Sequence, residues 1–524
     1  MRKAALPNLF DHWKEFTIVG VGILVVAFFL RTYNLLSIPI FADEAIYVRW
    51  AQVMKAEPAL RFLPLSDGKQ PLFMWVTMPF FKIFSDPLVA GRMVSVFAGM
   101  GSIVGLFLVG FFLFRSLRVG ILASLLWSVS PFSVFFDRMA LVDALLASFG
   151  IWVLLFAVLT ARTMRLDFAM ITGFFLGGAW LTKSPAIFFL LLLPSTALVA
   201  DWTKRWRWGR LGKLGGLWIV SWVIAFAMYN ILRLGTNFHM IALRNKDYVF
   251  GFEEVLKHPL DPFQFHVKEI VQWFWILLPG TVLIAFLVGL FLCYRKYWRE
   301  ILLLLSWMLF PLLVQSEFAK VFTARYILFT SPPLFLIAAL GLTYIPKKFF
   351  LPLVLPMLIV PLYLDYLLLV QTEKALLPRV ERSGYLEEWT SGTGIREVAT
   401  YVKKEREQNP NQKIIVGTEG FFGTLPDGLQ IYVSDIPGVV VKGVGISISE
   451  VDESLVNAKK AGDRVLLVVN SSRFNVVKPE DIGTQLLESY HKAQRPNGTR
   501  DSLLLLEVTN EAIKFYDIKH GKTG

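Results

Sequence analysis

Residues 16–36 read FTIVGVGILVVAFFLRTYNLL, and their reading decides what kind of protein this is. Crossing the hydrocarbon of a bilayer takes roughly 20 predominantly apolar residues in a helix. Helices suit that environment because their backbone groups bond one another. The run is too long and too uninterrupted for a removable signal, and no small-residue cleavage site follows it, so it reads as a first membrane helix. Similar runs recur along the chain of 524 residues, of which 55% are hydrophobic, with 45 Phe and 16 Trp. Mean hydropathy is +0.55. The sequence is that of a polytopic α-helical membrane protein, with crossings expected at 16–36, 90–114, 119–136, 141–161, 167–182, 185–200, 215–234, 270–293, 301–316, 325–345 and 349–370.

The formal net charge of +13 invites a nucleic-acid reading, but its distribution argues for topology instead. Basic residues concentrate in the N-terminal segment and every second connection: Arg2, Lys3 and Lys14; Arg115 and Arg118; Arg162 and Arg165; Lys204, Arg205, Arg207, Arg210 and Lys213; Arg295, Lys296 and Arg299; Lys347 and Lys348. The positive-inside rule then places the N-terminus in the cytoplasm of a cell's plasma or inner membrane. The acid-richer loops, including the long ones at 37–89 and 235–269, fall outside. The first long loop holds two amphipathic stretches, about 42–55 and 72–84, expected to lie on the membrane surface. A single cysteine, Cys293, rules out an internal disulfide and a Cys-rich metal site.

The composition changes near residue 371, which divides the chain into a membrane domain, 1–370, and an extracytoplasmic α/β domain, 371–524. KIIVG (413–417), QIYV (430–433), VVVK (439–442), RVLLVV (464–469), LLLLEV (503–508) and IKFYDI (513–518) read as strands. Segments 394–408, 449–461 and 479–491 read as helices between them.

Just past the first crossing stands FADEAIYVRW, residues 41–50, with an adjacent acidic pair, Asp43 and Glu44, and Tyr47 one turn on from Asp43. An acidic pair at a helix start can simply answer the helix dipole. At the mouth of a cleft, a carboxylate can also act as a general base toward a hydroxyl. Lys69 in DGKQPLFMW (67–75) and Lys183 in LTKSPAI (181–187) either snorkel or pair with a phosphate. Asp137, Arg138 and Asp143 crowd FFDRMALVDALL (135–146), where charge so close to hydrocarbon marks function or an ion pair between helices. Arg325 and Tyr326 in FAKVFTARYILFTSPPLF (318–335) either anchor an interface or hold a phosphate. His239, His258 and His266 lack metal-ligand spacing, so no metal is assigned. Asp43, Glu44, Lys69, Asp143, Lys183, Arg325 and Tyr326 all fall at the outer ends of crossings. Acids and bases at one membrane level suit a substrate with a lipid tail, a phosphate and a polar head. Nucleotide sugars and ATP are made in the cytoplasm, so a transferase working outside needs a donor flipped across the bilayer. A lipid phosphate sugar meets that need.

The order of these motifs resembles the GT-C membrane glycosyltransferases, in the branch that contains protein O-mannosyltransferases and the aminoarabinose transferase of lipid A. In that branch an Asp-Glu pair occupies a surface helix of the first outer loop, like Asp43 and Glu44. A Lys-Pro-Pro-Leu segment is similar to Lys69-Gln70-Pro71-Leu72, with Gln70 for the first Pro. An Arg opening the second crossing is similar to Arg92. An Arg-x-x-x-x-Asp element is similar to Arg138 and Asp143. A Thr-Lys-Gly-Pro turn is similar to Thr182-Lys183-Ser184-Pro185, with Ser for Gly, and a late Arg-Tyr to Arg325-Tyr326. The resemblance covers about residues 30–345. It implies inverting transfer from a dolichyl or undecaprenyl phosphate sugar to a hydroxyl of a lipid, glycan or protein. Asp43 would be the base, with Glu44 and Asp143 in the catalytic group, and Lys69, Lys183, Arg325 and Tyr326 on the donor phosphate. Tyr47, Arg92 and Arg138 would support them. No cofactor is implied, with a divalent metal left open, and the expected partners are the donor, an acceptor and membrane lipid, not nucleic acid. Two other classes compete. A transporter or lipid flippase carries internal repeats or mid-membrane polar groups, and none is visible here. An envelope scaffold would be indifferent to loss of Asp43.

Overall fold

The computed structural model describes residues 13–202, 207–278 and 280–521. Arg2, Lys3, Lys204 and Arg205, which enter the topology argument, lie outside them. The first run forms helix α1, Trp13–Thr32. Its apolar side chains remain uncovered, with Ile18 at 72% and Val25 at 62% exposure. A face of that kind belongs against lipid rather than water. After α1 come α2 (Ala42–Ala56), α3 (Leu72–Phe80) and the long α4 (Pro87–Phe114). Asp86 caps α4 through bonds from the Leu88 and Val89 amides. Helix Val142–Thr163 runs through the middle of the bundle, against α4 and helix Leu166–Thr182.

Among the described residues five helices are long and apolar enough to cross, or seven if two pairs bent by 62° and 52° count as one crossing each. Three shorter apolar helices accompany them. The expected crossing at 270–293 is divided between helices Asp261–Leu277 and Gly280–Phe318. The second of these has 39 residues, roughly twice what a bilayer needs, and its backbone leaves helical geometry at Tyr297. Prolines and bends set boundaries that hydropathy cannot place.

The amphipathic stretch expected at 42–55 forms α2. α2 has eight buried residues among its fifteen. It is enclosed between α4 and helix Asp427–Val433 of the C-terminal region. Arg49 donates to Ser434 Oγ at 2.7 Å and Gln52 to the Ile431 carbonyl at 2.8 Å.

That C-terminal region is built on five strands: β1 (Ile414–Glu419), β2 (Val439–Gly445), β3 (Arg464–Asn470), β4 (Thr484–His491) and β5 (Ser502–Val508), in the order β2-β1-β3-β5-β4. β1 lies parallel to β2 and β3, while β5 is antiparallel to β3 and β4. Side chains alternate between two cores, as the strand repeat requires. Ile414, Val416, Leu466, Val468, Leu503 and Leu505 join the core continuous with the membrane bundle. Ile415, Val465, Leu467, Val469, Leu506 and Val508 form a separate one. Three elements depart from expectation. QIYV lies in helix Asp427–Val433, because an apolar run this short fits a buried helix as well as a strand. IKFYDI lies in helix Asn510–Lys519, where Thr509 caps the Glu511 amide. Segment 479–491 is a short turn of 3-10 helix followed by β4, separated by left-handed Gly483.

Three buried arginines tie the end of α1 to its neighbours. Arg31 donates to Asp137 at 2.9 Å and to the Ser128 carbonyl. Arg138 donates to the Leu30, Tyr33 and Asn34 carbonyls, part of the unpaired set at a helix C-terminus. Arg92 donates to both oxygens of Glu44, at 2.9 and 2.8 Å, and to the Leu35, Ile38 and Pro39 carbonyls. Removing one partner of such a pair strands the other charge. Arg92→Ala is expected to cost about 3–5 kcal/mol, read as a large fall in the midpoint of thermal unfolding of the purified protein. An unchanged midpoint would show that Glu44 does not depend on this partner.

Candidate active site

α2 begins at an extended Phe41, and Glu44 reaches back to the Phe41 amide at 3.0 Å, as in a capping box. The same carboxylate accepts from the Ala140 amide at 2.6 Å as well as from Arg92. Glu44 is fully buried with all these bonds made, so the structure places it in the scaffold and not at the cavity. Arg92 and Arg138 are placed likewise. Adjacent helical residues differ by about 100° in direction, so a fixed Glu44 turns Asp43 to the other side.

There Asp43 lines a cavity of about 700 Å³, shared with Tyr47, Lys69, Lys183, Arg325 and Tyr326. Arg325 donates to Asp43 Oδ2 at 2.5 Å, and Lys69 Nζ lies 3.7 Å from Asp43 Oδ1. Lys69 also sits 3.3 Å from Asp67 and over the Tyr47 and Trp50 rings at 5.2 and 5.7 Å. Lys183 donates to Asp143 Oδ1 at 2.6 Å and lies 3.9 Å from the centre of the Tyr326 ring. Asp143 Oδ2 is buried without a partner. The sequence-derived site residues therefore divide. Asp43, Tyr47, Lys69, Asp143, Lys183, Arg325 and Tyr326 come together, while Glu44, Arg92 and Arg138 hold α1, α2 and α4 in place.

Burial alone would raise the Asp43 carboxyl, but Arg325, Lys69 and Lys183 outweigh it and hold the group at about 2. Burial lowers the Lys69 ammonium, and Tyr47, Asp43 and Asp67 more than reverse that. The site is an interlocked set of charges in which each cation is held by a carboxylate. Among the described residues no group of three or more His, Cys, Asp or Glu could hold a metal ion.

Several residues of this region escaped sequence reasoning. Asp67 bridges Lys69 and Arg244, whose Nη2 lies 2.8 Å from Asp67 Oδ1. Left-handed Gly68 makes room for that contact, since a Cβ there would come within 2.7 Å of the Arg244 Cβ. Asp67 stands two residues before Lys69, a proximity that could have flagged it. Arg244 belongs to the second long loop, and nothing in its local pattern marks it. Gln70 donates to Ser184 at 2.8 Å, so the two substituted positions of the motifs meet each other. Trp389 and Thr390 reach the cavity from the C-terminal region. Glu381 accepts from the Ala324 amide at 2.7 Å, next to Arg325, and its second oxygen is buried and unpaired.

Residues 68–229 match the family model described as dolichyl-phosphate-mannose-protein mannosyltransferase. Among solved structures, the chain aligns with ArnT from Cupriavidus metallidurans bound to undecaprenyl phosphate at a TM-score of 0.56 and 14% identity, over 94% of this chain and 98% of that one. The fold is that of the GT-C membrane glycosyltransferases. ArnT in its apo state aligns at the same TM-score and 15% identity, over 95% and 99% of the two chains. The archaeal oligosaccharyltransferase AglB from Archaeoglobus fulgidus, solved with an inhibitory peptide and a dolichol-phosphate, aligns at a TM-score of 0.47 and 12% identity, over 97% and 77%. No curated protein matches the chain.

In this GT-C chain Glu381 gives a pH test of how the Arg325 segment is held. Burial raises its carboxyl to about 6, with Glu269 reinforcing and the Ala324 amide and Arg325 opposing. The folded state therefore favours the protonated form. Its contribution is fully present below the ordinary value of 4.5 and is lost as pH rises through about 6. Glu381→Gln keeps an acceptor for Ala324 and removes the ionisation. It is expected to stabilise the protein by about 2 kcal/mol at pH 8 and to be near neutral at pH 4. Thermal unfolding at the two pH values checks this, and a loss of stability at pH 8 would reverse the assignment.

Proposed function

We propose that the chain is a membrane glycosyltransferase that moves a sugar from a polyprenyl phosphate to an acceptor hydroxyl, at the outer face of a cell membrane. The observation that carries the reading is Asp43 inside the cavity, within bonding reach of Arg325 and near Lys69. The match to the mannosyltransferase family model and the ArnT structure with undecaprenyl phosphate support it. A phosphodiester arriving in the cavity meets Arg325, Lys69 and Lys183, three cations near one another in a partly dry space. Arg pairs with phosphate oxygens through two parallel bonds, and Lys acts as a point charge.

The same event changes Asp43. Its negative charge is held by the cations that the phosphate would take. Their transfer to the phosphate lets its proton affinity rise toward the ordinary carboxylate range, where it is a better base. The acceptor oxygen then forms a bond to the anomeric carbon as the carbon–oxygen bond to phosphate breaks. The acceptor proton goes to Asp43, and the polyprenyl phosphate leaves with the electron pair, stabilised by the cations. Attack opposite the leaving group inverts the anomeric centre. Asp143, with one oxygen on Lys183, keeps that lysine aimed at the cavity.

Asp43→Asn separates chemistry from structure. The variant is expected to lose at least about 100-fold in transfer from a radiolabelled undecaprenyl phosphate sugar. Its unfolding midpoint and its binding of undecaprenyl phosphate should be retained. Full transfer by the variant would remove Asp43 as base and return it to a structural partner of Arg325.

A further inference from the structure

The cavity wall contributed by the C-terminal region has a construction that the transfer chemistry does not require. Trp389 lines the cavity and is 37% exposed. Its ring is backed by the Arg473 guanidinium, whose centre lies 3.7 Å from the ring centroid. Arg473 in turn approaches Glu419 at 3.7 Å, and Glu419 accepts from the backbone and side-chain nitrogens of Asn470 at 2.7 and 2.6 Å. The Asn470 side-chain oxygen accepts from Lys492 at 2.5 Å, and Lys492 also donates to the carbonyl of Glu388, the residue before Trp389, at 2.8 Å. Glu419 and Lys492 are 2% and 0% exposed. Burying two charges costs several kcal/mol unless bonds replace their hydration. Here those bonds converge on one indole, fixing both its backbone and one face.

Resting on the glycosyltransferase reading, we infer that Trp389 is a stacking platform for the acceptor, and that the acceptor presents a sugar ring to it. A rigid indole offers a flat apolar surface at little entropic cost, which matches the C–H face of a pyranose. Asp67 and Arg244 line the same cavity and carry the planar carboxylate and guanidinium groups that bond adjacent hydroxyls. A peptide acceptor is the weaker fit, because extended peptides are gripped through main-chain bonds at a free edge. Around Trp389 that edge is taken. The Thr390 carbonyl accepts from the Ala42 amide at 3.1 Å and from Thr424 Oγ1 at 3.2 Å, and the Gly392 amide donates to Ile40 at 2.7 Å.

The test uses full-length protein labelled with 5-fluorotryptophan in lipid nanodiscs, free of sugar detergents. The Trp389 fluorine line is identified by its absence in Trp389→Phe. Three probes are titrated: envelope glycolipids soluble in organic solvent, lipid-free oligosaccharides released from the same envelopes, and a Ser/Thr-rich peptide. Movement of the Trp389 line by either carbohydrate probe is expected, and which of the two moves it tells glycolipid from free glycan. Movement by the peptide alone, or by none of the three, overturns the platform. Binding of radiolabelled undecaprenyl phosphate is measured on the same nanodiscs. Its absence would defeat the donor reading, whereas donor binding with a static Trp389 line would defeat only the platform. In transfer assays Trp389→Phe should keep acceptor affinity and Trp389→Ala should raise the acceptor KM about tenfold at unchanged kcat, the scale of a lost aromatic contact.

Discussion

The pair between Arg92 and Glu44 governs the arrangement of everything at the cavity end of the molecule. Both side chains are fully buried, and between them they satisfy carbonyls at 35, 38 and 39 and amides at 41 and 140. A buried pair of this quality contributes little net stability over an apolar substitute. Its effect is to fix geometry. It sets the entry of α2, its rotation about its own axis and its depth against α4. Asp43 is the residue that this rotation delivers to the cavity, so the scaffold carboxylate and the cavity carboxylate are consecutive in the chain and about 100° apart in direction.

The cavity charges follow a complementary logic. Asp43 with Arg325, Lys183 with Asp143, and Asp67 between Lys69 and Arg244 give each cation a carboxylate partner. Those partnerships hold the cations at the cavity without leaving them free and strongly hydrated. In the proposed transfer, a phosphate takes over these cations and Asp43 becomes the stronger base in the same step. That reading ties the basicity of Asp43 to the presence of donor.

How much of this was legible in the sequence differs from residue to residue. The membrane class was plain, because uninterrupted apolar runs have few other uses. Asp43, Lys69, Asp143, Lys183 and Arg325 could be singled out because charge near hydrocarbon needs a reason, and motif order grouped them. The division of labour between Asp43 and Glu44 could not be read, since neighbouring acids on a helix look equivalent until the far side of the helix has a partner. Arg92 could be named as a supporting residue, but its partner Glu44 could not be read, for the same reason. Arg244 and Glu381 were missed because each matters through a contact with a distant segment, whereas Asp67 lies two residues from its partner Lys69 and was within reach of the sequence. In the C-terminal region, parallel strands β1 and β3 stood out as continuous apolar runs, while β4, an edge strand with many exposed residues, resembled a helix in its mixture of polar and apolar positions.

The C-terminal region is integral to the cavity rather than hung beneath it. One face of its sheet belongs to the same core as the membrane helices, and helix Asp427–Val433 packs against α2. Phe41, the cap of α2, pairs through a short antiparallel bridge with Ser391 and packs its ring 4.4 Å from Tyr385. Arg325 lies 5.4 Å from the same Phe41 ring, and the Ala324 amide beside it is held by Glu381. The segment 381–391 thus touches both ends of the Asp43–Arg325 pair and carries Trp389 into the cavity. A shift in how the sheet sits would move Asp43, Arg325 and the Trp389 wall of the cavity together. Under the proposed function that coupling would give the C-terminal region a direct physical route to acceptor selection, because the segment that carries Trp389 also sets the geometry of the Asp43–Arg325 pair.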